Sequence, residues 1–247
     1  MSRQASRTPV RFPAGVNNSL AGANPAALLS GYGALDPTRY IATFNDHFTY
    51  AAGDYTITQT GGTAALADGA GGWLALTAST GGTDSIYMQN AKKSFYPDTV
   101  SRLWYEVRLK MDAVSTGTFV CGLIVTDTTP ASNTDGIYFQ KATAGTGAID
   151  FVVNGSSTAT TASAITTMTA DTFIRLGFHY NPRGSELTYY VNGVQAGSTV
   201  TTNYPTSAGL TLTKGVAATS AVARTLTFDY EFAAQERWTP NATPDGR

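Results

Sequence analysis

From Phe44 onward the chain alternates: apolar side chains recur at every second position in short runs, and clusters of Gly, Asn, Asp, Ser and Pro separate the runs. Strands half-buried on one face and joined by turns give this pattern. It predicts strands over 55–60, 72–78, 84–89, 101–111, 118–126, 136–142, 148–153, 173–180, 187–191, 194–199, 209–216 and 224–232, and no long helix. In "LWYEVRLKM", Leu103, Tyr105, Val107, Leu109 and Met111 share the side that packs, while Trp104, Glu106, Arg108 and Lys110 share the side that meets water. By the same alternation Leu226, Phe228, Tyr230 and Phe232 oppose Thr225, Thr227, Asp229 and Glu231. Asn154-Gly155 and Asn192-Gly193 each lie between alternating runs, where a two-residue hairpin turn needs positive φ at both corners. About a dozen antiparallel strands must close a core and hide their edges. Two packed sheets do both, so the expected fold is an all-β, two-sheet antiparallel β-sandwich of jelly-roll type.

The first 43 residues follow another rule. Pro9, Pro13, Pro25 and Pro37 punctuate them, and only a helical turn capped by Asn24 is suggested. Phe12, Leu28, Leu29, Tyr32 and Tyr40 are more apolar anchors than a solvated linker needs, so an arm that folds against a partner is expected. Residues 44–237 then form the sandwich, and 238–247 a short tail.

Composition sharpens this division. Only 13% of the 247 residues are charged, about half the usual quarter, so the surface is neutral and rich in hydroxyls. Arg3, Arg7, Arg11 and Arg39 against Asp36 give the arm +3 and leave −4 on the rest. Four spaced arginines are neither a basic block nor a stripe interleaved with aromatics, so nucleic acid is not the expected partner. No run approaches the ~20 apolar residues of a membrane-spanning helix, and the N-terminus has no apolar signal core. Cys121 is the sole cysteine, which rules out an internal disulfide and reads as a small buried hydrophobe.

Candidate chemistry is sparse. A retaining glycosidase needs two carboxyl groups about 5–5.5 Å apart. The four glutamates, Glu106, Glu186, Glu231 and Glu236, form no Glu-x-Asp-x-Glu triplet. Asp229 and Glu231 are the nearest approach and read as part of a solvated polar face. His47 and His179 lack a second ligand at metal spacing, and Asp135 with Asn133 reads as a turn rather than a calcium loop. No catalytic residue, metal or cofactor is therefore expected. For sugar binding without catalysis, Tyr87, Trp104, Tyr189 and Tyr190 are the aromatics that would stack on rings if exposed.

Two resemblances extend this reading. "GFHYNPRGSE" running into "LTYYVNGVQAGS", with "LTFDYEFAAQER" as a last strand, resembles laminin G-like, concanavalin A-like jelly rolls over residues 44–237. "LDPTRYIATFNDHF", "GDYTITQTGGTAALADGAGGWLALT" and "GLIVTDTTPASNTDGIYFQK" resemble a family of tailed-bacteriophage virion proteins, and this likeness includes the arm. The second resemblance implies a non-enzymatic capsid decoration or cement protein on the virion surface, made in the host cytoplasm. Its partner would be the major capsid protein, held through the arm and sandwich surface, with a homotrimer as the preferred assembly. A glycan- or receptor-binding adhesin module of the virion is the alternative.

Overall fold

The computed structural model describes residues 40–237, except 46, 48, 50, 143, 144, 183 and 207. Among these residues fifteen strands build two antiparallel sheets. In the first sheet β13 (Val194–Val200), β12 (Glu186–Val191), β11 (Ile174–Asn181), β6 (Leu103–Met111), β15 (Arg224–Glu236), β4 (Trp73–Ala78) and β3 (Gly62–Ala67) lie side by side. β1 (Tyr40–Asn45) also pairs with β15. The second sheet runs β10 (Thr158–Thr167), β9 (Ala148–Gly155), β8 (Gly136–Lys141), β7 (Gly117–Val125), β14 (Leu210–Ala218), β5 (Ser85–Asn90) and β2 (Tyr55–Thr60).

The inward sets of the two sheets make the core. Leu103, Tyr105, Val107, Leu109 and Met111 are all fully buried there, as alternation requires. Tyr105 and Phe178 from the first sheet stack at 5.3 Å, and Phe178 meets Phe151 and Phe139 from the second at 5.6 and 6.2 Å. Aromatic rings thus bridge the layers, in the offset and tilted geometries their quadrupoles favour.

All twelve expected segments carry strands, and three further strands escaped the pattern. β3 (GTAALA) and β10 (TATTASAITT) are outermost strands with mostly small or hydroxyl side chains, so neither shows apolar alternation. β1 straddles the boundary drawn between arm and sandwich at residue 43: its six residues pair with β15 from Tyr40↔Glu236 to Asn45↔Glu231. Tyr40 is therefore a sheet residue, its ring set edge-on against Trp104 at 6.2 Å. Arg3, Arg7, Arg11, Phe12, Leu28, Leu29, Tyr32 and Arg39, and the helical turn at Asn24, lie outside the described residues.

The hairpins need one correction. Asn192 (φ 50°) and Gly193 (φ 79°) form the expected positive-φ corner between β12 and β13. Between β9 and β10 the corner is instead Ser156 (φ 52°) and Ser157 (φ 63°), while Asn154 and Gly155 continue the ladder, pairing with Ala159 and Thr158. Asn154 is held in the strand because its side-chain amide donates to the Asn133 carbonyl at 2.6 Å.

Candidate functional site

A β-bulge decides where the acids go. Pairing between β15 and β6 slips between Phe228 and Tyr230, so Phe228 sits opposite Leu109 but Tyr230 sits opposite Arg108. Beyond the bulge the faces exchange: Tyr230 and Phe232 turn outward, and Glu231 turns into the core, fully buried. Asp229 and Glu231 do not share a solvated face. Asp229 pairs with Arg108, and Glu231 accepts hydrogen bonds from Lys214 at 2.5 Å and the Tyr105 hydroxyl at 3.0 Å. Alternation could not show this, because an inserted residue leaves no mark on composition.

The outer face of the first sheet is richer than its sequence suggested. Trp104 and Glu106 do not meet water: Trp104 is fully buried and Glu106 is 3% exposed. One Glu106 oxygen accepts the Tyr230 hydroxyl at 2.6 Å, and the Arg175 guanidinium lies 4.0 Å from the same oxygen. Burial raises the Glu106 pKa, against the lowering influence of Tyr230 and Arg175, so this carboxyl keeps its proton to higher pH than an exposed one. Beside it, Arg108, Phe173, Arg175 and Asn192 line an open hollow of about 170 Å³. Arg108 lies over the Phe173 ring at 4.2 Å, Trp73 meets Phe173 edge-on at 5.3 Å, and Lys110 stands over both rings. On this face Glu106 Oε2 and His179 Nε2 are buried without a hydrogen-bond partner, and Arg175 Nε has the Glu106 carboxylate at 4.0 Å. Buried polar atoms are rarely left so.

The second sheet offers less. Val120, Ile124, Tyr138 and Val152 form a buried apolar cluster on its outer face, with Tyr87 packed against it. The segment between β7 and β8 folds over that face. Asp127 donates its backbone N–H to the Gln89 side chain, and Asn154 holds the Asn133 carbonyl. Asp135 accepts from Ser156 N–H at 3.0 Å, as a turn residue does. No cluster of three metal-ligating side chains occurs among the described residues.

The proposed sugar-stacking aromatics are dispersed. Tyr189 points into the core against Phe151 at 5.1 Å. Trp104 and Tyr190 lie on the outer face of the first sheet but are buried, and Tyr87 is half-buried on the opposite side of the sandwich. They do not form one platform. Phe173, which lines the hollow, and Trp73 packed against it precede a strand or begin one, where alternation is weakest.

The histidines are held neutral. Burial, helped by the Arg102 charge, lowers His179 to about 4, and burial with the Lys214 charge lowers His47 to about 3. The unfolded chain takes up protons on these rings below about 6.5, and the folded protein does not until far lower. The histidines' contribution to stability is therefore flat above that point and falls as pH drops from about 6.5 toward 4. Thermal midpoints measured at several pH values should decline less steeply for His179→Gln.

Comparison with known proteins bears on the fold. No family model matches the chain, and no curated protein matches it. Solved structures do. A protein of unknown function from Shewanella oneidensis aligns over 87% of this chain and 97% of its own, with TM-score 0.58 and 14% identity. A Bacillus licheniformis β-glucanase aligns over 78% and 97%, with TM-score 0.56 and 12% identity. An endo-β-1,4-glucuronan lyase from Trichoderma reesei aligns over 78% and 94%, with TM-score 0.56 and 11% identity. The chain is a concanavalin A-like jelly roll. These neighbours correct the expectation of a protein without enzymatic activity. Polysaccharide-cleaving enzymes are built on this sandwich, so the missing Glu-x-Asp-x-Glu triplet does not by itself exclude catalysis.

Proposed function

We propose that this jelly roll recognises an acidic saccharide on the outer face of its first sheet. The observation that carries the reading is the hollow between Arg108 and Arg175, walled by Phe173, with the buried and unpartnered Glu106 Oε2 on the carboxylate next to Arg175. Sugar recognition combines an apolar wall for the ring with fixed polar groups for its substituents. Phe173, with Trp73 against it, supplies the wall. Two guanidiniums supply planar donors matched to a carboxylate, and Asn192 is placed for a hydroxyl. The hollow is smaller than the ~300–1,000 Å³ of drug-sized pockets, which suits one ring of a polymer lying across the face. Solved sandwiches of this fold include a lyase named for glucuronan and a carbohydrate recognition domain, and their shared architecture lends the reading weight.

Titration with polyglucuronate, with a neutral β-glucan in parallel, tests it. The acidic polymer should bind, and Arg108→Ala with Arg175→Ala should weaken it at least about tenfold, the worth of one charge-assisted hydrogen bond. Chain-length analysis of the same mixtures reads out cleavage. Equal binding of the neutral polymer, or no effect of the double substitution, would sink the reading.

A second reading follows the virion resemblance: a head-shell component holding the major capsid protein, tested by locating the protein on intact particles. One structural feature favours it. Tyr96 (59% exposed) and Val100 (54%) lie near the C-terminal end of β15, where β1 begins, with Gln235 accepting the Tyr96 N–H at 2.9 Å. β1 therefore begins beside exposed apolar surface suited to a protein contact.

A further inference from the structure

We propose that Lys214 and Glu231 condense into an isopeptide bond that ties the two sheets covalently. Lys214 belongs to β14 of the second sheet and Glu231 to β15 of the first, and both point into the core. They are 1% and 0% exposed, with Nζ 2.5 Å from Oε2. Because the carboxyl carbon is one bond from Oε2, the amine already stands near the atom it would attack. Such pre-positioning replaces a bimolecular encounter with an effective concentration far above any in solution.

The pair is closed off from water, with the rings of Tyr55 and Phe228 at 5.3 and 5.8 Å from Nζ. Moving one proton from Nζ to the carboxyl gives the amine and acid that react. The Nζ lone pair then forms the new bond to Cδ. Oε2 collects a second proton from nitrogen and leaves as water, breaking the Cδ–Oε2 bond, and Oε1 remains as the amide oxygen. One ammonium and one carboxylate yield one amide and one water, with no oxidant or other reactant. Tyr105 donates to Oε1 at 3.0 Å, which polarises the carboxyl towards attack. Its own pKa is held far above the ordinary value by burial and by the neighbouring Cys121 and Glu231, so it remains a donor throughout.

Intact-mass measurement on the full chain, denatured after long incubation in the folded state, tests the link. The protein should be lighter than its sequence by one water, and digestion should give a branched peptide joining β14 to β15. Lys214→Met and Glu231→Leu should each restore the full sequence mass. A wild-type chain at its full sequence mass would overturn the proposal. So would a water loss that persists in Lys214→Met, which would point to ring closure at Asp135-Gly136 instead.

Discussion

Lys214→Met is expected to destabilise the fold by about 3–5 kcal/mol, because it leaves the Glu231 carboxylate in the core without a countercharge. Glu231 retains the Tyr105 hydroxyl as a donor, but one neutral hydrogen bond does not replace the ammonium. Pairing Lys214→Met with Glu231→Leu removes both charges and should recover the part of the loss that comes from the stranded charge, since well-packed apolar replacements of buried ion pairs are often neutral or better. Where the two side chains have condensed, the single substitution also deletes the cross-link, so the loss is at least as large. Urea unfolding midpoints of the wild type, single and double variants check this. A double variant as unstable as Lys214→Met would show that something other than the stranded charge sets the cost.

Gly122→Ala should cost about 3 kcal/mol, through backbone strain and overpacking together. Gly122 lies in β7, in the middle of the second sheet, with φ +151°. A Cβ there would stand 2.5 Å from the Ile137 carbonyl oxygen and 2.6 Å from the Tyr138 Cα. Both are backbone atoms of the neighbouring strand and cannot swing aside as a side-chain tip could. Gly53, with no atom within 4 Å of its would-be Cβ, is the control: Gly53→Ala should shift the unfolding midpoint by no more than a few tenths of a kcal/mol.

These two sites show how far the chain can be read without its fold. Strands such as β6, β7 and β11 were legible because a buried face imposes a period of two that their side chains obey. β10 was not, because an edge strand of Thr, Ala and Ser has little to bury and so no contrast to display. Glu231 was misread for a different reason. Its neighbours alternate correctly up to Phe228, and a single inserted residue then reverses the code without changing the letters. The candidate site was hidden by a third effect: Arg108, Arg175 and Phe173 belong to two strands and the turn before one of them, and only sheet order makes them adjacent. Burial of Trp104 and Glu106 is likewise a property of what covers a face, which one strand's sequence does not encode.

The union of β1 with β15 has a mechanical consequence. Tyr40 and Glu236 face each other at one end of a six-pair antiparallel ladder. A pull that separates the segment before Tyr40 from the segment after Glu236 peels the ladder, breaking its pairs one at a time under small force. A pull on the segment before Tyr40 alone, directed along β1 away from the body, loads all six pairs in shear at once. The same strand is thus a weak zipper or a strong anchor according to the direction of tension. A tether attached through residues 1–39 would hold firmly only while the tail is left free.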